Sequence, residues 1–128
     1  MIADRRFAFR SGIGYDSHRF APGGPLMLGG VAIPSEVHLL GHSDGDAIAH
    51  AVTDAILGAA ALGDIGAMFA DTDPGNAGRD SIEMLRIATA HLHEAGWRVQ
   101  QLDVVVMAET PRIAPHRDAM REMATVRR

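Results

Sequence analysis

Apolar positions along this chain recur with two different periods, and each period predicts a different element. Phe7 to Tyr15 reads as a strand, and Gly12 and Gly14 within it mark a twist or a close approach of backbone. Leu26 to Leu28 and Val31 to Ile33 flank Gly29-Gly30, a two-residue hairpin signal that Pro34 closes. From Asp44 to Leu62 the spacing becomes helical. Ala47, Ala51, Ala55, Ile56, Ala59, Ala60 and Leu62 form a face of mostly small residues that allows close packing. Ser43 is the expected N-cap, with Asp46 three positions on, and Gly63 the expected C-cap. A polar loop, Gly66 to Gly78, separates this helix from a second. The second starts at Asp80, uses Glu83 as a capping partner, repeats Ile82, Leu85, Ile87, Ala88 and Leu92 at roughly helical spacing, and stops at Gly96. Val99 to Ala108 reads as a strand, and the Val104-Val105-Val106 run predicts burial on both faces. Thr110-Pro111 breaks it, and a third helix follows from about Pro115 with Met120, Met123 and Ala124 on one side.

The order strand, hairpin, helix, helix, strand, helix predicts an α/β (α+β) domain. It has a mixed sheet of about four strands with helices on one face. No repeat or linker divides residues 1–128, so the expectation is one domain. Aromatic residues are only 5% of the chain, so its core must be aliphatic. Cysteine is absent, which removes disulfides, thiolate zinc sites and a catalytic thiol, and suits a reducing cytoplasm. A net charge of −4 gives no basic stripe for nucleic acid. No apolar run reaches membrane-spanning length, and Met1 to Arg10 lacks the apolar stretch of a secretory signal.

Candidate chemistry gathers in four places. Asp16 and His18 sit at i and i+2, so on an extended segment both can reach one point. Carboxylate and imidazole are both zinc ligands, although the pair taken alone is better read as two solvated residues at a strand end. Asp46, His50 and Asp54 share one helical face, so either carboxylate could hold the second nitrogen of a metal-bound His50. His42 and Ser43 are expected at the helix start, where free N–H groups favour phosphate. A plain cap and a surface histidine would read the same way. Asp64, Phe69, Asp71 and Asp73 with Pro74 suit sugar hydroxyls, a hard cation or ordinary turns.

Taken together these segments resemble the 2-C-methyl-D-erythritol 2,4-cyclodiphosphate synthase family. The similarity is carried by Gly14-Tyr15-Asp16-Ser17-His18, by His42 through Ala55, by Leu57 through Gly66, by Phe69-Ala70-Asp71-Thr72-Asp73-Pro74, by Asp80-Ser81 and by Ala108 through Arg112. It runs from Ser11 to Arg121. The resemblance implies an enzyme of the non-mevalonate route to isoprenoids, a phosphorus-oxygen lyase. Its substrate would be 4-diphosphocytidyl-2-C-methyl-D-erythritol 2-phosphate, whose 2-phosphate attacks the β-phosphorus and expels CMP. It implies Asp16, His18 and His50 as zinc ligands with one position open. His42 would be the catalytic stabiliser, and Ser43 would touch the diphosphate. Asp64, Ile65 and Gly66 would lie at the erythritol hydroxyls, and Phe69, Ala70, Asp71, Thr72 and Asp73 would form a substrate loop. Ala108, Glu109, Thr110, Pro111, Arg112, Ile113 and Ala114 would form a cytosine pocket. A second divalent cation, Mg2+ or Mn2+, would accompany the diphosphate. The family resemblance also implies a cytoplasmic homotrimer with sites between subunits and no nucleic-acid or membrane partner.

The chain departs from the pattern at three positions and at its end. Ala70 stands at a usual Pro, which is expected to loosen the loop; Arg112 replaces a common Lys; Ala114 replaces a larger aliphatic residue. The resemblance implies a further stretch, roughly thirty residues on typical domain length, with a strand, a helix and a Thr-Thr-Glu segment. The alternatives are a zinc- and nucleotide-binding trimeric scaffold without catalysis and an unrelated metal phosphohydrolase.

Overall fold

The computed structural model of the chain describes residues 8–127. Phe7 and most of the Met1–Arg10 stretch lie outside them. Among the described residues are four short strands and four helices, an α+β arrangement. The strands are β1 (Phe20–Pro22), β2 (Leu26–Leu28), β3 (Val31–Ile33) and β4 (Val37–Leu39). The helices are α1 (Ala47–Ala59), α2 (Ile65–Met68), α3 (Ser81–Glu94) and α4 (Arg117–Arg127), the last preceded by a 3-10 turn at Ala114–His116.

The hairpin forms where Gly29-Gly30 places it, with Leu28 opposite Val31 and Leu26 opposite Ile33. Both glycines have positive φ, 59° and 77°, as a tight two-residue turn requires. Strands β1 and β4 pair separately and antiparallel, Phe20 opposite Leu39. The four strands therefore make two small ladders rather than one sheet.

Two expected strands are not formed. Residues 8–15 join no ladder among the described residues. The glycines there serve close approach instead. A Cβ on Gly14 would sit 1.7 Å from the Ala51 carbonyl oxygen, and one on Gly12 2.0 Å from that of Ala55, so only glycine lets this segment lie on α1. Val99–Ala108 likewise has no ladder partner among the described residues. Its valines are not covered on both sides, since Val105 is 82% exposed while Val106 packs on the hairpin core. A β-branched run favours extended backbone, but a strand exists only where another backbone is within hydrogen-bonding reach.

Helix α1 is shorter than the apolar pattern implies. Its N-cap is Asp46, not Ser43, and Ala60 rather than Gly63 caps its end. Ala61 takes the left-handed position at φ 57°, and Leu62 N–H donates back to Leu57 O at 2.9 Å. Asp46 does two jobs. Its carboxylate accepts from Ala49 N–H at 3.0 Å and from both hairpin-turn N–H groups, Gly29 at 2.9 Å and Gly30 at 2.7 Å. Burial pushes this fully buried carboxyl up from its ordinary pKa, against the three N–H donors that favour its charge.

Helix α3 follows its end signals: Asp80 accepts from Ile82 N–H, and Gly96 at φ 89° lies just past the end. Glu83 sits in the first turn but its carboxylate faces Arg79 rather than completing a capping box, and Ile87, on the expected apolar face, is exposed because α1 covers only the opposite stripe. The main core lies between α1 and α3, with Val52, Ile56, Leu57, Ile82, Leu85, Ala88 and Leu92 buried together. Trp97, Val99, Leu102 and Met123 pack against its margin. A second cluster of Leu26, Leu28 and Ile33 is covered by Leu39, Ile48, Val106, Ile113 and Met120. These two clusters fix His50 on α1, the approach to β1 and the start of α3 relative to one another.

Candidate functional site

The β1–β4 pairing brings residues 18 and 40 together. Leu40 N–H donates to Arg19 O at 2.8 Å, and His18 Nδ1 donates to Leu40 O at 2.9 Å. With that proton on Nδ1, the neutral ring has a bare lone pair on Nε2. Nε2 lies 2.6 Å from Asp16 Oδ2. His50, on the first turn of α1, faces the same point, its Nδ1 3.1 Å from Asp16 Oδ2 and 3.3 Å from His18 Nε2.

The proton of His50 is assigned by its other neighbours. Ser81 Oγ donates to Asp44 Oδ1, so it can only accept from His50 Nε2, which is 2.8 Å away. Ser43 Oγ is also 2.8 Å from that nitrogen. Nε2 therefore carries the hydrogen and Nδ1 is bare. Two imidazole lone pairs and a carboxylate oxygen thus converge, all within 4.8 Å of one another. Such a set is repulsive unless a proton or a cation sits among it.

The electrostatics follow. Burial pushes the Asp16 carboxyl up, but His50, which donates from Nδ1 when its ring takes a second proton, and the nearby His18 outweigh it and hold the pKa below its ordinary value. Burial pulls His50 down, but the imidazolium, protonated on Nδ1 as well, gains a hydrogen bond and a charge interaction with Asp16 that reverse this and leave the pKa raised.

A cleft of about 770 Å³ opens beside this cluster. Residues 12–18 and α1 form one wall, and residues 101–110 form the other. A separate, much smaller cavity of about 40 Å³ lies between α1, α3 and α4, lined mainly by apolar side chains such as Val52, Ile56, Leu85 and Met123.

Comparison with known proteins bears directly on this geometry. The family model described as the YgbB family matches residues 9–126. A relative from Gemmatimonas aurantiaca named 2-C-methyl-D-erythritol 2,4-cyclodiphosphate synthase is 64% identical over 118 residues, covering 91% of this chain and 71% of its own. The chain belongs to the YgbB family. A solved structure of a 2C-methyl-D-erythritol-2,4-cyclodiphosphate synthase in a CDP-bound form superposes with a TM-score of 0.85 at 45% identity, covering 91% of this chain and 78% of that one. A Plasmodium falciparum protein solved as a CDP complex superposes at 0.75 with 35% identity, covering 91% and 71%. This YgbB chain is an enzyme, as its motifs implied, and membership of the family removes the unrelated phosphohydrolase.

Within this YgbB member the other expected site residues fall into separate places. Ser43 joins the Asp16–His18–His50 cluster through His50. His42 and Ser43 do not lie at the start of α1, whose first N–H groups are served by Asp46. His42 instead faces the following loop, its Nε2 donating to Asp73 O at 3.3 Å. Asp64 caps α2 through Ala67 N–H, while Ile65 N–H is held by Asp54. Asp54 is therefore engaged elsewhere, Asp46 holds the hairpin turn, and neither supports the His50 ring. Phe69 is buried, Ala70 half-buried, and Asp71, Thr72 and Asp73 are exposed. The Ala70 carbonyl accepts from Asp73 N–H and from Asn76 Nδ2, which ties down the position expected to be loose. Ala108, Glu109 and Thr110 line the cleft with Asp16 and His18. Pro111, Arg112, Ile113 and Ala114 continue from it around a cis Thr110-Pro111 bond. The spacing of polar residues missed Asp44 and Ser81 as the support of His50; Asp80-Ser81 was visible only as a matching dipeptide.

Proposed function

We propose that this chain converts 4-diphosphocytidyl-2-C-methyl-D-erythritol 2-phosphate to 2-C-methyl-D-erythritol 2,4-cyclodiphosphate, releasing CMP. The observation that carries this is the convergence of two bare imidazole nitrogens and a carboxylate at the edge of a cleft, in a YgbB-family chain. That donor set suits zinc held by Asp16, His18 and His50. When bound, such an ion acts as a Lewis acid that polarises and orients a phosphate oxygen.

The remaining work falls to the chain itself. One 2-phosphate oxygen forms a bond to the β-phosphorus as the bond from that phosphorus to the α-phosphate oxygen breaks, and CMP leaves with the electron pair. Catalysis here is alignment and charge stabilisation. His42 donates toward the phosphate oxygens that gain charge, and the Ser43 hydroxyl fixes the diphosphate and the His50 ring together. Asp64, with Ile65 and Gly66, meets the erythritol hydroxyls. Phe69 to Asp73 close over the substrate, and Ala108 to Ala114 read cytosine through backbone groups. A second divalent cation, Mg2+ or Mn2+, would supply charge screening at the diphosphate. Asp64 and Asp73 lie outside the cleft that contains Ala108, an arrangement suited to a homotrimer whose sites combine segments from neighbouring subunits. The proposed setting is cytoplasmic, with one domain per chain and no nucleic-acid or membrane partner. No helix among the described residues is long and apolar enough to cross a membrane.

Metal analysis and a CMP-release assay test the proposal. The protein should bind one zinc per chain and release CMP, and His50→Ala should lose both. Zinc retained at one per chain in His50→Ala would remove the assigned ligand set. Stoichiometric zinc in the unaltered chain without any CMP release would leave the binding scaffold in its place.

A further inference from the structure

We infer that Asn76 and Arg79 form a clamp that holds the Phe69–Asp73 loop against the start of α3, which makes Arg79 a positioning residue for substrate capture. This rests on the proposal that the loop takes part in substrate binding.

Asn76 ends the 3-10 turn Pro74–Asn76, which Asp73 caps by accepting from Gly75 N–H at 2.9 Å. The turn points the Asn76 side chain inward, where it is only 6% exposed and uses both ends of its amide. Its Nδ2 donates to Ala70 O at 3.0 Å, and its Oδ1 accepts from Arg79 Nη1 at 3.0 Å. The Arg79 guanidinium carbon lies 5.0 Å from the centroid of the Phe69 ring, and that ring is itself buried. Arg79 Nη2 reaches Glu83 Oε1 on α3 at 3.6 Å. One planar cation thus touches the first residue of the loop, the amide that grips its second residue, and the helix beyond it.

The backbone at the same point joins the loop to the site. Gly78 N–H donates to His42 O at 2.7 Å, and Asp44 N–H donates to Arg79 O at 3.1 Å. His42 closes the circuit through its bond to Asp73 O. An exposed i,i+4 pair between Arg79 and Glu83 would by itself contribute little. Here the guanidinium is half-buried and its fork is shared between an amide and a ring face, a combination an ammonium cannot reproduce.

The consequence concerns binding more than chemistry. With the clamp intact, the loop is ordered before substrate arrives. Without it, ordering must be supplied at the moment of binding, which weakens apparent affinity. The clamp's side-chain contacts run to Ala70, Phe69 and Glu83 and not to Asp16, His18 or His50, and the backbone bond from Asp44 N–H to Arg79 O needs no Arg79 side chain, so side-chain variants of the clamp leave the three converging groups in place.

The test is a double-variant cycle read in CMP release. Arg79→Ala and Asn76→Ala should each raise KM about tenfold, the scale of ordering one or two side chains, with kcat within about twofold. The double variant should match either single rather than multiply them, because both break one unit. Arg79→Lys should recover only part of the loss, and also stands in should Arg79→Ala fail to fold. Zinc content should be unchanged throughout. Amide hydrogen exchange supplies a readout that needs no activity. The amides of residues 71–73 and 75–77 should exchange about tenfold faster in each variant, while those of α1 stay as they are. Unchanged KM and exchange, or a double variant whose KM change is the product of the singles, would overturn the clamp. Clamp-dependent exchange in a chain that never releases CMP would instead refute the substrate reading and leave the clamp standing.

Discussion

His50 carries its proton on Nε2 because Ser81, donating to Asp44, leaves only a lone pair to receive it. His18 is fixed in the opposite tautomer by the Leu40 carbonyl. Two histidines thus present different ring nitrogens to one point, and the choice is made by second neighbours rather than by the ligands. His42 has no part in that arrangement, so its loss should separate chemistry from metal. His42→Ala should lower turnover about 10²–10³-fold, the scale of one preorganised donor, with zinc stoichiometry unchanged on metal analysis. In the metal-free protein Asp16 and His50 also make stability depend on pH. The Asp16 pKa is lowered in the fold, so its contribution is present above the ordinary value of 3.8 and is lost as pH falls through the folded pKa. That of His50 is raised, so its contribution is full below the ordinary 6.5 and is lost as pH rises through the folded pKa. The stability difference between the metal-free chain and its Asp16→Asn variant should therefore be widest between those two values and shrink on either side. Urea midpoints across pH measure it, and a flat difference would contradict the pairing.

Helix α1 and the β2–β3 hairpin are separate elements joined by one buried carboxylate. Asp46 caps the helix and holds both N–H groups of a left-handed glycine turn. Removing it leaves three donors without a partner in a buried place. Asp46→Ala should cost about 2–3 kcal/mol, combining a lost cap with unsatisfied turn amides. Asp46→Asn should lie between, since it can keep the Oδ1 contacts but sets an N–H donor against Gly30 N–H. Chemical denaturation at constant m-value would show the order Asp, Asn, Ala, and equal midpoints for all three would rule out the coupling.

At the scale of the whole molecule, the described residues leave Phe9, Ile13, Tyr15, Val105 and Met107 more than three-quarters exposed. These side chains sit on the two extended segments that flank the cleft. Large apolar groups gathered in this way mark an association surface, as the proposed trimer requires. An obligate interface commonly buries more than about 2,000 Å², and a charge in its core is strongly unfavourable. Val105→Glu should shift sedimentation from trimer toward monomer without changing the α1–α3 core, which circular dichroism would confirm. A variant that still sediments as a trimer would place the interface elsewhere.

What the chain's own pattern determined was local. The hairpin follows from Gly29-Gly30 between two apolar triplets, α3 from Asp80 and Gly96 at its ends, and the convergence of Asp16, His18 and His50 from i, i+2 spacing and a helical histidine within a familiar set of motifs. These depend on backbone preferences and short-range spacing, which a sequence displays directly. The tertiary structure decided the rest. Val99–Ala108 is a strand-like run that finds no ladder among the described residues, because pairing depends on a second backbone and not on its valines. Asp46 and Asp54 share a helical face with His50, yet each is taken by a partner from another segment, Gly29-Gly30 and Ile65. The residues that do hold His50, Ser81 and Asp44, lie 37 positions apart from each other. The same holds for the clamp, where an arginine on the way into α3 meets a phenylalanine at the end of α2. Spacing shows which side chains can share a face, but a buried polar atom takes whichever partner the packing of distant segments brings within hydrogen-bonding reach.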